Sequence, residues 1–245
     1  MALPRVTTPT YELKIPSTGE TVSFRPFLVK EEKTLLMAME SGDSQAMTRA
    51  MQDIISSCTE GQVDLKNLAS FDIEYFFLQL RGRSVGEVLT IHPSRPSEFT
   101  CCKEATPEDS CEIHINLEDI SMNTTDIKSS EINITKDIGM KLQFPRIDTV
   151  QKYASDGEDI KSDNVFKLIV ECIDYIWDGD EVYKAKDSTK KELDEFIESL
   201  SSSQFVKVRE FFESMPRLSH EIDWKCPKCE KSHSLLIQGI DSFFE

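Results

Sequence analysis

The sequence predicts an α+β fold in which β-hairpins and a split zinc-ribbon-like β unit combine with two helical groups. Three observations carry that prediction. Alternating segments near the start flank turn residues; apolar residues recur at helical spacing within 31–80 and again within 165–215; and two cysteine-bearing stretches, 99–120 and 224–241, each lead into an alternating strand.

Taken in order, Tyr11-Glu-Leu-Lys-Ile15 alternates, Pro16-Ser-Thr-Gly19 supplies turn chemistry, and Thr21-Val-Ser-Phe-Arg-Pro-Phe27 alternates again, the pattern of a hairpin. Two helices follow. Residues 31–40 place Leu35, Leu36 and Met39 on one face, and 44–58 place Met47, Met51, Ile54 and Ile55 on another, with Gly42 as the stop between them. A third helix over 72–80 carries Ile73, Phe76, Phe77 and Leu80 in a wide stripe that reads as core. Residues 85–91 and 112–117 read as strands, and 131–135 with 140–144 as a second hairpin, Gly139 near its turn and Pro145 at its end. Residues 154–164 read as a charged linker or loop. The apolar run 165–177 predicts a helix; Ser188-Thr-Lys-Lys-Glu192 predicts a capped helix to Leu200; 203–215 predicts another, stopped by Pro216. A strand–knuckle–strand closes the series, with strands at 221–224 and 234–237.

A chain of 245 residues with 39% hydrophobic content can bury a core as one large domain or two small ones. The expected organisation is a hairpin-plus-helices unit at 1–92, the split ribbon at 93–120 and 218–245, and an inserted hairpin and helical segment at 121–217. No run of 18 apolar residues appears, so no membrane span is expected. The opening MALPRVTTPTYELK lacks a signal peptide's apolar stretch, so an intracellular product is expected. The formal charge of −16 repels a phosphate backbone, and the basic groupings Arg81-Gly-Arg83 and 225–231 are short. Nucleic acid is therefore a poor partner, whereas a basic protein surface is compatible.

The seven cysteines form an odd set without the spacing of a small disulfide scaffold. Phe99-Thr-Cys-Cys102 leads through a polar stretch to Cys111 and then a strand. Trp224-Lys-Cys226-Pro-Lys-Cys229 leads likewise to 232–241. In each, an aromatic residue stands two before a cysteine, as in a zinc ribbon whose two knuckles each give two thiolates to one tetrahedral ion. Cys226 and Cys229 keep the C-x₂-C spacing. The other half is stretched, with eight residues between Cys102 and Cys111. The favoured ligands are Cys111, Cys226 and Cys229 with one of Cys101 or Cys102, and His114 and His233 are substitutes. Glu112 and Glu230 stand after a second cysteine where glycine would ease the turn. Four protein ligands leave no open position, so the zinc would be structural and would tie the middle of the chain to its end. The plain alternative is two metal-free hairpins whose cysteines pack as small apolar groups. Cys58 and Cys172 lie on apolar helix faces and read as core.

Catalytic motifs are missing: there is no GxSxG, phosphate loop, GxGxxG or HExxH. The histidines at 92, 114, 220 and 233 are scattered. Asp156-Gly-Glu-Asp159 and Asp178-Gly-Asp-Glu181 lack the rest of a calcium loop and read as solvated loops, the second a weaker contact candidate. An enzyme is not expected.

The order of several motifs resembles one family. Ala2-Leu-Pro-Arg-Val-Thr-Thr-Pro-Thr-Tyr-Glu-Leu13, Arg25-Pro-Phe-Leu-Val-Lys-Glu-Glu-Lys33 and Phe71-Asp-Ile-Glu-Tyr-Phe-Phe-Leu-Gln-Leu-Arg81 are similar to the baseplate hub subunit and hub assembly proteins of T-even-type contractile phages. So are Ser84-Val-Gly-Glu87, Glu171-Cys-Ile-Asp-Tyr-Ile176 with Asp178-Gly-Asp-Glu-Val182, Phe211-Phe-Glu-Ser-Met-Pro216, and the CPKC hairpin before Gly239-Ile-Asp-Ser-Phe-Phe244. The resemblance spans nearly the whole chain. It implies a non-enzymatic role in building a tail baseplate hub in the host cytoplasm, with residence in the virion tail baseplate open. The implied partners are other hub proteins, the central spike or tape-measure components among them. In that family both cysteine turns are ordinary zinc knuckles; here Cys101-Cys102 is doubled and Cys111 is distant. Phe243 and Phe244, adjacent near the last residue, are the candidate partner contacts. The rival reading is a zinc-ribbon adaptor for nucleic acid or a polymerase, using Lys225, Lys228 and Lys231. A second rival, a metal-dependent hydrolase, would need zinc with an open water position.

Overall fold

The structure is a computed structural model that describes residues 7–91, 113–117, 120, 122, 128–153, 162–225, 230 and 232–240. Helices and small antiparallel sheets share the chain, which makes it α+β as the sequence predicts.

Strands β1 (Tyr11–Lys14) and β2 (Thr21–Phe24) pair antiparallel with Leu13 opposite Val22. Alternation turns Leu13, Ile15 and Phe24 inward, and all three are buried. Helix α1 (Val29–Ser41) ends at Gly42, whose φ of 64° is the left-handed cap the sequence calls for. Helix α2 (Ser44–Cys58) starts at Asp43, whose carboxylate accepts the Gln45 N–H at 2.9 Å. Helix α3 (Ser70–Val85) buries Ile73, Phe76, Phe77 and Leu80 completely.

Two sequence expectations change here. The inward face of α1 carries Glu31, Leu35 and Ala38, whereas Leu36 and Met39 face solvent. Glu31 decides this, because its carboxylate meets Arg25 at 2.9 Å and Ser57 Oγ at 2.8 Å and so pulls its side of the helix inward. Val85 belongs to α3, and the strand expected from 85 begins later: β3 (Val88–Ile91) pairs antiparallel with β4 (Ile113–Asn116).

The next sheet is a four-stranded antiparallel meander, β5 (Glu131–Asn133), β6 (Ile138–Leu142), β7 (Ile173–Asp178) and β8 (Glu181–Lys184), in that order. Gly139 sits inside β6, paired with Asn133 and Trp177, and not at a turn. Helix α4 (Ile147–Tyr153) precedes α5 (Ser162–Glu171). The helix expected over 165–177 therefore stops at Glu171, and the remainder is β7. Ile169 and Ile173 fit a helical stripe, but Ile173, Tyr175 and Trp177 also alternate, and pairing on both sides with β6 and β8 settles them as an interior strand. The supposed loop at 178–181 is a tight hairpin, Asp178 facing Glu181, with Gly179 at φ 57°.

Helix α6 (Lys190–Glu198) has the predicted capping box: Thr189 Oγ1 accepts the Glu192 N–H at 3.3 Å and Glu192 accepts the Thr189 N–H at 2.7 Å. Helix α7 (Ser202–Glu213) repeats the device with Ser201 and Gln204. Strands β9 (Ser219–Lys225) and β10 (Ser232–Gln238) form the last hairpin.

Burial gathers these elements around two cores. One joins the first hairpin, α2 and α3 to Ile113, Ile115, Leu117 and Ile120 and to Leu218, Ile222, Ile237 and Ile240. The other joins β5, β6, α5, α6 and α7 through residues such as Met140, Val170, Ile197 and Phe211. A seam connects them. The Ser70 N–H donates to the Pro145 carbonyl at 2.9 Å, Ala69 and Arg146 form an isolated bridge, and three rings stand in line. Phe71 meets Phe144 edge-on at 5.1 Å, and Phe144 stacks on Phe211 at 5.2 Å.

Candidate metal centre and interaction surfaces

The β3–β4 hairpin encloses residues 92–112 and the β9–β10 hairpin encloses residues 226–231 between strand ends, so both cysteine stretches connect paired strands. Cys101, Cys102, Cys111, Cys226 and Cys229 lie outside the described residues, as do Phe243 and Phe244. Met122, after β4, and Leu218, just before β9, form an isolated antiparallel bridge. His114 is on the exposed face of β4, its Nδ1 3.0 Å from Thr90 Oγ1, while Ile113 and Ile115 on either side are buried. For His233 only the backbone is described, opposite Trp224. Glu230 has φ 58°, the left-handed conformation for which a glycine would be suited after Cys229. Among the described residues no three His, Cys, Asp or Glu side chains gather into a metal cluster.

Cys58 and Cys172 are buried and free, as expected of core residues. Burial pushes the Cys58 thiol up to about 11, against the pull of Arg25, and the Cys172 thiol up to about 12. Both are inert thiols at neutral pH.

The sequence reading missed two buried carboxylates. Asp72 is fully buried; its oxygens accept the Ser17 N–H at 3.0 Å, the Ser17 hydroxyl at 2.5 Å and the Ala69 N–H at 3.1 Å. Burial raises its pKa and these hydrogen bonds oppose the rise. Glu31 experiences the same burial, but hydrogen bonds from Arg25, the Leu28 N–H, Ser57 and Lys30 hold it down at about 2. One carboxylate pins the first hairpin's turn to α3, and the other pins α1 to α2. Each, at the third position of its helix, accepts the backbone N–H of its N-cap residue, but Leu28 and Ala69 have no side-chain acceptor to return the bond, so the sequence carries no capping-box signal at either.

Two surfaces face outward. Helix α1 exposes Val29 (79%), Met37 (61%) and Leu36 (52%) around Lys33 on the side away from its buried face. The second surface is a cleft of 780 Å³ where β6 and β8 end and β7 begins. Pro145 turns the chain from β6 toward α4, and a 3-10 turn at Ala185–Asp187 carries β8 into α6, which leaves the cleft open between them. Phe144, Val170, Ile173 and Leu193 contribute apolar lining, and Arg146, Lys184, Lys186 and Lys190 line it with positive charge. The two lining carboxylates are already engaged from outside it: Glu171 by Lys152 and the Tyr153 hydroxyl, Asp174 by Lys141 at 3.7 Å. Among the described residues, Lys184 and Lys186 have no carboxylate within salt-bridge distance. No helix among the described residues is long and apolar enough to cross a membrane.

The family described as T4 bacteriophage base plate protein matches residues 8–245. The chain belongs to that family. A relative, the baseplate hub assembly protein gp26 of Enterobacteria phage T4, is 24% identical over 237 residues, 96% of this chain and 98% of the relative. No solved structure matches the chain. The base plate family assignment agrees with the resemblance carried by the Arg25–Lys33 and Phe71–Arg81 stretches. Those same stretches hold the buried Arg25–Glu31 pair and Asp72.

Proposed function

We propose that this base plate family member is a non-enzymatic assembly component of a phage tail baseplate hub that works through protein–protein contacts. The near end-to-end match to a protein whose name states hub assembly carries the reading. The exposed Val29, Leu36 and Met37 of α1, set around Lys33, support it, because apolar side chains left uncovered on one side of a helix suit contact with another protein. Other hub proteins are the partners, and the site of action is the host cytoplasm during assembly, then the tail baseplate. The test is complementation. A phage lacking the gene, supplied with this protein in trans, is expected to form complete hubs by electron microscopy. Normal hubs in its absence would refute the reading.

A structural zinc accompanies this reading. Cys111, Cys226 and Cys229 with Cys101 or Cys102 would staple the two hairpins, dividing the chain into a core unit (1–92), a split ribbon (93–120 and 218–245) and an inserted segment (121–217). The left-handed Glu230 directly after Cys229 and the Met122–Leu218 bridge support it. A tetrathiolate site would hold the ion by charge and chelation and leave no position for a reacting water.

A further inference from the structure

We propose that the cleft at the end of the four-stranded sheet is a docking site for an acidic polypeptide segment of a partner protein, one that carries carboxylate side chains around an apolar residue. The inference rests on the hub-assembly reading for its context and names the chemistry of one partner contact.

Charge is the first argument. The chain as a whole carries −16, yet here four cations line one cleft against two carboxylates, which are paired with Lys152 and Lys141 from its surroundings. A local positive field in an acidic protein attracts an anionic group that the remaining surface repels, which gives selectivity as well as attraction. The second argument is the lining. Phe144 is the partly exposed apolar side chain of the lining, with the buried Ile173 and Leu193 beneath, so a ligand gains by bringing an apolar side chain as well as charge. A free inorganic anion would leave that surface uncovered.

The third argument favours a polypeptide. Lys184 belongs both to the cleft and to β8, the last strand of its sheet, whose four residues are all exposed. The Lys184 carbonyl accepts the Ser188 hydroxyl at 3.2 Å, but the outer edge of β8 has no strand partner among the described residues, so the edge before Lys184 can receive an extended chain. Val182, exposed on the same face of β8 as Lys184, adds apolar contact.

The experiment uses the full chain and a fluorescein-labelled, glutamate-rich peptide containing one phenylalanine, read by fluorescence anisotropy. Binding is expected, weakening as salt rises, with no binding of the peptide in which glutamine replaces glutamate. The double substitution Lys184→Glu and Lys186→Glu is expected to weaken binding at least about tenfold, since two exposed attractions become repulsions. Lys186→Arg should retain binding, and Lys33→Glu on α1 should leave it unchanged. Equal loss with Lys33→Glu, or no loss with the double reversal, would overturn the site. Displacement of the peptide by inorganic phosphate as effective as displacement by unlabelled glutamate peptide would overturn the ligand class. Complementation separates this proposal from the one beneath it. A chain that restores hubs yet ignores the peptide refutes only the cleft, whereas one that binds the peptide but fails to restore hubs refutes the hub reading.

Discussion

The indole of Trp177 lies across the backbone of Gly139, so close that a Cβ on residue 139 would stand 2.0 Å from the ring. The two residues face each other across the β6–β7 ladder. Glycine is required here by space. Gly139→Ala forces the ring or the strand to move and is expected to destabilise by about 1–3 kcal/mol, the usual cost of overpacking. Thermal unfolding checks it. Pairing the change with Trp177→Leu should recover part of the loss, and equal destabilisation in both backgrounds would show that the ring is not the cause.

The Arg25–Glu31 pair fixes a pH dependence. Glu31 has an ordinary pKa of 4.5 and is held at about 2 in the fold. A depressed carboxylate stabilises the fold when charged, so the contribution is present above about 4.5 and is lost as pH falls toward 2. Its size is on the order of 3 kcal/mol. Glu31→Gln should lower neutral-pH stability while flattening the acid limb of a denaturant-midpoint titration. An unchanged acid limb would place the acid sensitivity elsewhere.

Asp72 behaves in the opposite sense. Its raised pKa means that the charged form is penalised by burial, yet three hydrogen bonds converge on its oxygens. Asp72→Ala strands the Ser17 and Ala69 donors and is expected to cost about 2–4 kcal/mol, whereas Asp72→Asn keeps one acceptor and should cost less. Urea unfolding of both variants ranks them.

The cysteine hairpins give a metal prediction. Purified protein should contain about one zinc, removed by chelation with loss of stability, and Cys226→Ser with Cys229→Ser should abolish the metal. Glu230→Gly should relieve the left-handed strain and stabilise by roughly 0.5–1 kcal/mol without altering metal content. Metal-free protein of full stability would refute the staple.

Local signals were legible wherever chemistry and period agreed. Asp43, Thr189 and Ser201 cap helices through their own side chains, and Gly42 ends one where its left-handed backbone is needed. The reading failed at Ile173–Asp178, where a helical and a strand period coincide and only the neighbours β6 and β8 choose between them. It failed on α1 because apolar residues lie on both sides, and Arg25, distant from the helix's middle, selects the side that turns inward. The cleft was illegible because Arg146 comes from a different segment than Lys184, Lys186 and Lys190. In the sequence these are unrelated surface lysines and an arginine; the sheet's end makes them one cluster.

The line of rings from Phe71 through Phe144 to Phe211 has a mechanical meaning. Parts of a chain that meet across polar, loosely packed seams swing relative to one another by default. Here the seam is crossed by stacked and edge-on aromatic groups, clasped by the Ser70–Pro145 hydrogen bond. Bending at this point would separate rings and break that bond together, so a push on either core is transmitted to the other. The seam is a strut rather than a hinge.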